Sequence, residues 1–343
     1  MTRHKPHVQN IYAIVIGVFI LCVITLIQYS LIPEKVVEAP QKEKYTYIPQ
    51  FVVLSFDGSK SIAMWKKTRT FAKEMAASST PVHFTYFVNS VYFITKEEGD
   101  LYQGPRHLPG QTPIGFSGSK TETAERINQI NLAISEGHEI GSHAAGHFAG
   151  GDWTVAEWTH EFDVFNALLF RDPSLNLSEK DIIGFRAPEL SVNDNMYALL
   201  HERGFRYDAS GVAKGDKWPV KDKRGIWRYP LGTIFLGVYR RPTLAMDYNI
   251  WMYQKENIQQ NWTQNLQDVV AGYTEYFEKN YTGDRAPVII GHHFSTWNDN
   301  VYWEAMKTFA RDVCGRPQVR CVNFRELTDY LDEYGVPELV KKP

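Results

Sequence analysis

Residues 136–148, Glu-Gly-His-Glu-Ile-Gly-Ser-His-Ala-Ala-Gly-His-Phe, hold near their end a pair of histidines, His143 and His147, separated by three small residues. Imidazoles at that gap can turn their nitrogens onto one metal ion, and Ala144, Ala145 and Gly146 leave room for it. A chain with 11 His produces such a pair by chance often enough that the pair alone decides little. Its company decides more, because chemistry-bearing residues recur where other apolar runs stop. Asp57 follows the run 51–56, where a carboxylate can serve as metal ligand or general base, or close an Asx-turn with Gly58. Arg186, in Gly-Phe-Arg-Ala-Pro, can clamp a carboxylate or lie along the surface. Asp247 suits the orientation of a histidine, or the cap of a helix. His292 and His293 end one more apolar run. Successive strand side chains point to opposite faces, so one of these two is expected in the site and the other in a structural role.

The elements that must position these groups follow from periodicity. Strand-like runs are expected at 51–56, 82–88, 139–142, 182–186, 205–208, 226–231, 243–247, 287–293 and 318–323. Between them, apolar residues recur at helical spacing over 60–77, through Ile127, Ile130 and Ile134, and over 194–203, 262–278, 299–313 and 324–334. Trp158, Phe162, Phe165 and Leu169 form a further stripe that reads as core. The Gly/Pro-rich stretch 99–119 is long for a plain connection and suits a cleft-lining loop. Strands alternating with helices of this length argue α/β with a mainly parallel sheet, open or closed into a barrel. Every polar group singled out above then falls at the C-terminal ends of strands, the edge where parallel α/β folds carry their sites.

The chain of 343 residues can bury a large core, as one large domain or two, and its formal net charge of -2 argues against a nucleic-acid partner. Residues 11–27 carry no charge, and continuing to residue 32 gives about 20 residues, enough to cross a bilayer. Arg3 and Lys5 precede the span while Glu34, Lys35 and Glu38 follow, which orients the N-terminus to the cytoplasm. The span is long for a cleavable signal and no small-residue cleavage site follows closely. The expected layout is a cytoplasmic segment 1–10, a single-pass transmembrane anchor 11–32, a tether 33–48 and a domain 49–335 outside the cytoplasm, periplasmic or extracellular. Of three Cys, Cys22 lies in the span, leaving Cys314 and Cys321 as a disulfide pair or two thiols.

The set resembles the polysaccharide deacetylase family, carbohydrate esterases that include chitin and peptidoglycan deacetylases. Leu-Ser-Phe-Asp-Gly-Ser (54–59) resembles the family's T-F-D-D-G motif, and His143-Ala-Ala-Gly-His147 its H-[ST]-x-x-H motif. Gly184-Phe-Arg-Ala-Pro188, with Phe205-Arg-Tyr-Asp-Ala-Ser210, is similar to the third motif, and Asp247 and His293 fall where the fourth and fifth would. The resemblance covers about residues 50–333. It implies a distorted (β/α) barrel of about seven parallel strands and metal-dependent removal of acetyl groups from an N-acetylglucosamine polysaccharide: peptidoglycan, chitin or an exopolysaccharide. It implies Asp57 as the base, Arg186 as the group that holds it, His293 as the acid and Asp247 as the carboxylate that tunes it. His143 and His147 would be ligands of a divalent metal, zinc or alternatively cobalt. Gly58 stands where the family has a second Asp, its third metal ligand. The alternative expectation is therefore a catalytically weak glycan-binding relative with an impaired metal site.

Overall fold

The structure is a computed structural model that describes residues 47–213, 217–255 and 261–337. The expected cytoplasmic segment, transmembrane anchor and nearly all of the tether lie outside the described residues. No described helix is long and apolar enough to cross a membrane.

The described chain runs β1 (Gln50–Asp57), α1 (Ile62–Ala77), β2 (Thr85–Val88), α2 (Lys120–Ser135), β3 (Glu139–Ser142), α3 (Val155–Leu169), β4 (Gly184–Phe185) and α4 (Asp194–Glu202). It continues through β5 (Tyr207–Val212), β6 (Val220–Lys221), β7 (Trp227–Leu231), β8 (Thr233–Leu236), β9 (Arg241–Leu244) and α5 (Asp247–Gln254). Then follow α6 (Trp262–Thr282), β10 (Val288–His293), α7 (Val301–Val313), β11 (Val319–Val322) and α8 (Phe324–Tyr334).

Most strands join one curled sheet in the order β10-β1-β2-β3-β4-β5-β7-β6, with β11 pairing β1 as well. All of its pairings are parallel except β6 with β7. The expected mainly parallel α/β sheet is present, with eight parallel strands rather than about seven; β4 is reduced to two residues. Strand β1 is central because it pairs with β10, β11 and β2, and every one of its residues is buried, as suits its largely apolar run. Side-chain alternation splits its contacts. Val52, Leu54 and Phe56 join the large cluster under the helices, while Phe51 and Val53 join a second cluster capped by Phe324, Leu327 and Leu331 of α8. Fully burying such side chains is worth about 1.5–3 kcal/mol each.

Register brings the expected site residues together. Asp57 stands opposite His293 on one side and Phe87 on the other; Val88 stands opposite Ser142, and Ser142 opposite Phe185. His143 and Arg186 are the next residues after the last two, so four strands deliver Asp57, His143, Arg186 and His293 to one level of the sheet edge.

Asp247 does not end a strand. The extended segment stops at Leu244, because β9 pairs antiparallel with β8 in a separate hairpin, and Asp247 opens α5. It still reaches the edge, since Met246 bridges to Gly291 of β10. Cys314 and Cys321 form a disulfide that ties the end of α7 to β11.

Candidate active site

Asp57 is buried, and its Oδ1 lies 2.8 Å from Nη1 of Arg186. Arg186 is held in turn by donation from Nε to the Ala209 carbonyl at 3.1 Å and by stacking over Phe87, 4.4 Å from the ring centroid. Burial on its own would raise the Asp57 carboxyl. The Arg186 guanidinium, helped by His143 and His293, outweighs burial and holds it below its ordinary value. The result is a desolvated carboxylate that stays ionised, the form a general base must have, at some loss of basicity.

His143 follows β3 and is buried. Its Nδ1 lies 2.7 Å from the Arg186 carbonyl oxygen, which can only accept, so Nδ1 carries the proton and Nε2 presents a lone pair. Burial pushes its pKa down to about 3, and burial lowers His147 as well. Both rings are therefore neutral near pH 7. Their centroids are 5.0 Å apart at 72°.

On the opposite wall, His293 Nδ1 lies 2.7 Å from Asp247 Oδ1, and the His293 backbone N–H donates to Oδ2 at 2.9 Å. Burial would lower His293, but the Asp247 carboxylate more than compensates and raises it above its ordinary value. Here is an imidazolium-forming group facing a paired carboxylate. His292 points to the other face: Tyr273 Oη is 2.9 Å from its Nε2, and burial drops its pKa to about 4. The alternation expected of the two histidines is met, with His293 in the cleft.

Asp57, Gly58, His143, His147, Glu189 and His293 line a cleft of about 740 Å³, with Arg186 and Asp247 behind its wall. Ile114, from the long 99–119 loop, lines it too. Next to His293 stand Tyr248 and Trp297, with Trp297 stacked on Trp251 at 5.2 Å and 12°. Flat apolar faces of this kind suit sugar rings.

The donors fit the metal implied by the resemblance only in part. His143 and His147 fit, being neutral and facing each other. The third donor does not. Gly58 has no side chain, Asp57 gives its Oδ1 to Arg186, and among the described residues no group of three or more His, Cys, Asp and Glu is placed to share an ion. The set falls one ligand short of the three protein ligands usual for a catalytic zinc.

Sequence reasoning missed Glu161. Its signal was available: it sits three residues after Trp158 and four before Phe165, on the apolar stripe of α3, where a carboxylate is out of place.

No family model matches the chain, and no curated protein matches it. Solved structures do. One is from Mycobacterium smegmatis and provisionally named a polysaccharide deacetylase. It is 14% identical with a TM-score of 0.54, over 88% of this chain and 96% of that one. Another, from Pseudomonas aeruginosa PAO1 and also provisionally named a polysaccharide deacetylase, is 13% identical with a TM-score of 0.54, over 84% and 93%. At such identities the likeness establishes the fold, and the fold is theirs.

Proposed function

We propose that this chain, with the fold of the polysaccharide deacetylases, hydrolyses acetyl groups from an N-acetylglucosamine-containing polysaccharide and releases acetate. The observation that carries this reading is the pairing of two opposed devices in one cleft: Asp57 held ionised by Arg186, and His293 held ready to protonate by Asp247. A binding groove has no need of either.

In this reading a water attacks the acetyl carbonyl carbon and passes a proton to Asp57. The carbon–nitrogen bond then breaks as His293 donates a proton to the departing sugar amine, leaving acetate and the free amino sugar. Asp247 orients His293 and balances its positive charge, and the aromatic pair Tyr248 and Trp297 supports the sugar ring. His143 and His147 are the groups that would meet a divalent ion, zinc or cobalt, and Gly58 counts against tight retention.

The apolar span at 11–32 supports a membrane-anchored domain outside the cytoplasm, and the Cys314–Cys321 disulfide favours an oxidising compartment. The substrate would then be a wall or surface polysaccharide.

A second reading, a glycan-binding relative with weak chemistry, is favoured by one observation, the absent side chain at Gly58. Mass spectrometry of N-acetylglucosamine oligomers and peptidoglycan fragments incubated with the chain separates the two. Loss of acetyl groups supports hydrolysis. Saturable binding with every acetyl retained supports the second reading.

A further inference from the structure

Glu161 is a fully buried carboxylate that the reaction steps above do not use. Its Oε1 accepts the backbone N–H groups of both Ala145 and Gly146 at 2.9 Å, and the Tyr102 hydroxyl donates to Oε2 at 3.1 Å. Those two amides belong to the bridge between His143 and His147. We propose that Glu161 is a positioning residue: it winds the 143–147 bridge so that both imidazoles face one point of the cleft. This rests on the reading that the two histidines belong to the site.

The bridge needs such a hold. Ala144 and His147 sit at φ 57° and 64°, a left-handed conformation unfavourable for any residue that carries a side chain. Two successive N–H groups converging on one oxygen favour that winding over an extended path. The Gly146 peptide is gripped from the other side too, where Thr112 Oγ1 donates to its carbonyl at 2.8 Å. Close fit is enforced by Tyr102: a Cβ at position 146 would lie 1.9 Å from the Tyr102 hydroxyl oxygen, so only glycine passes. A buried carboxylate is expensive for α3, and an apolar residue in the stripe would pack without desolvation cost. Burial does raise the Glu161 carboxyl, opposed by the Gly146 N–H, the Tyr102 hydroxyl and the Ala145 N–H. That cost is offset at the bridge.

The test is hydrogen exchange, read by mass spectrometry on peptides spanning 143–148 of the full chain, beside zinc affinity by competition with a chelating dye. Glu161→Leu should accelerate exchange in that segment at least about tenfold and weaken zinc binding by about 10–100-fold, as loss of an outer-shell partner does. Glu161→Gln keeps an acceptor oxygen for the two amides and should stay within about threefold of wild type in exchange. Should Glu161→Leu fail to fold, Glu161→Asp takes its place, because the shorter side chain keeps the charge but not the reach. Unchanged exchange in the Leu or Asp variant overturns the proposal, as does a Gln variant no better than Leu. The exchange readout decides by itself, and it stands apart from the proposed hydrolysis because it needs no turnover.

Discussion

Arg186 Nη1 and Asp57 Oδ1 meet through a single 2.8 Å contact between two buried side chains. The arginine also meets the Ala209 carbonyl and the Phe87 and Phe324 rings, so it anchors the carboxylate from one side rather than clamping it by both oxygens. Removing it leaves a charge stranded in the core. Arg186→Met should cost about 3–5 kcal/mol at neutral pH, the usual penalty for breaking a buried pair. Urea unfolding measures it. The folded carboxyl lies below its unfolded value of 3.8, so its stabilising contribution is present above that value and is lost as pH falls through the folded one. In the variant, burial without Arg186 leaves the carboxyl above its ordinary value, so the gap should begin to narrow in mild acid and vanish only below the lowered value of the wild-type carboxyl.

Asp247 acts on His293 in the opposite sense. The folded imidazole is raised above 6.5, so it stays protonated to higher pH than an ordinary histidine. The alkaline limb of the kcat/KM profile should lie above pH 6.5, and the acid limb, set by Asp57, below the ordinary carboxylate range. Asp247→Asn removes the charge that opposes burial, and the alkaline limb should move down. Profiles of the two proteins on a soluble N-acetylglucosamine oligomer check this; an unmoved limb would remove Asp247 from the account.

Much of this site was legible because strands place their ends predictably. Asp57, His143, Arg186 and His293 could be assigned to one edge from apolar runs that stop at each of them. The type of Asp247 is legible but its element is not, since the antiparallel partner that ends β9 at Leu244 is a tertiary choice no local pattern announces. Strand β4 illustrates the same limit: a five-residue run was expected and two residues pair. Glu161 was hidden for a different reason. Its partners are backbone amides, which every residue but proline possesses, and periodicity reports only that a carboxylate lies on an apolar face.

Gly58 is the position where the donor set is short, and the chain around it would accept a carboxylate. It has φ 66°, a region aspartate tolerates better than most residues, and a Cβ there would meet nothing within 4 Å. Gly58→Asp should fold, at a cost of no more than about 1–2 kcal/mol. It should also raise zinc affinity by at least about tenfold by completing a three-ligand set. Dye competition on both proteins measures it. Equal affinities would mean that His143 and His147 do not face a common metal position.

The central claim, that Asp57 serves hydrolysis of an acetylated glycan, is tested most directly by acetate release from an N-acetylglucosamine oligomer, with zinc or cobalt supplied. Wild type and Asp57→Asn are run side by side. The account predicts acetate from wild type and a rate at least about 100-fold lower from Asp57→Asn, the scale of losing a positioned base. No acetate above the blank from wild type, or equal rates from the two proteins, would contradict it.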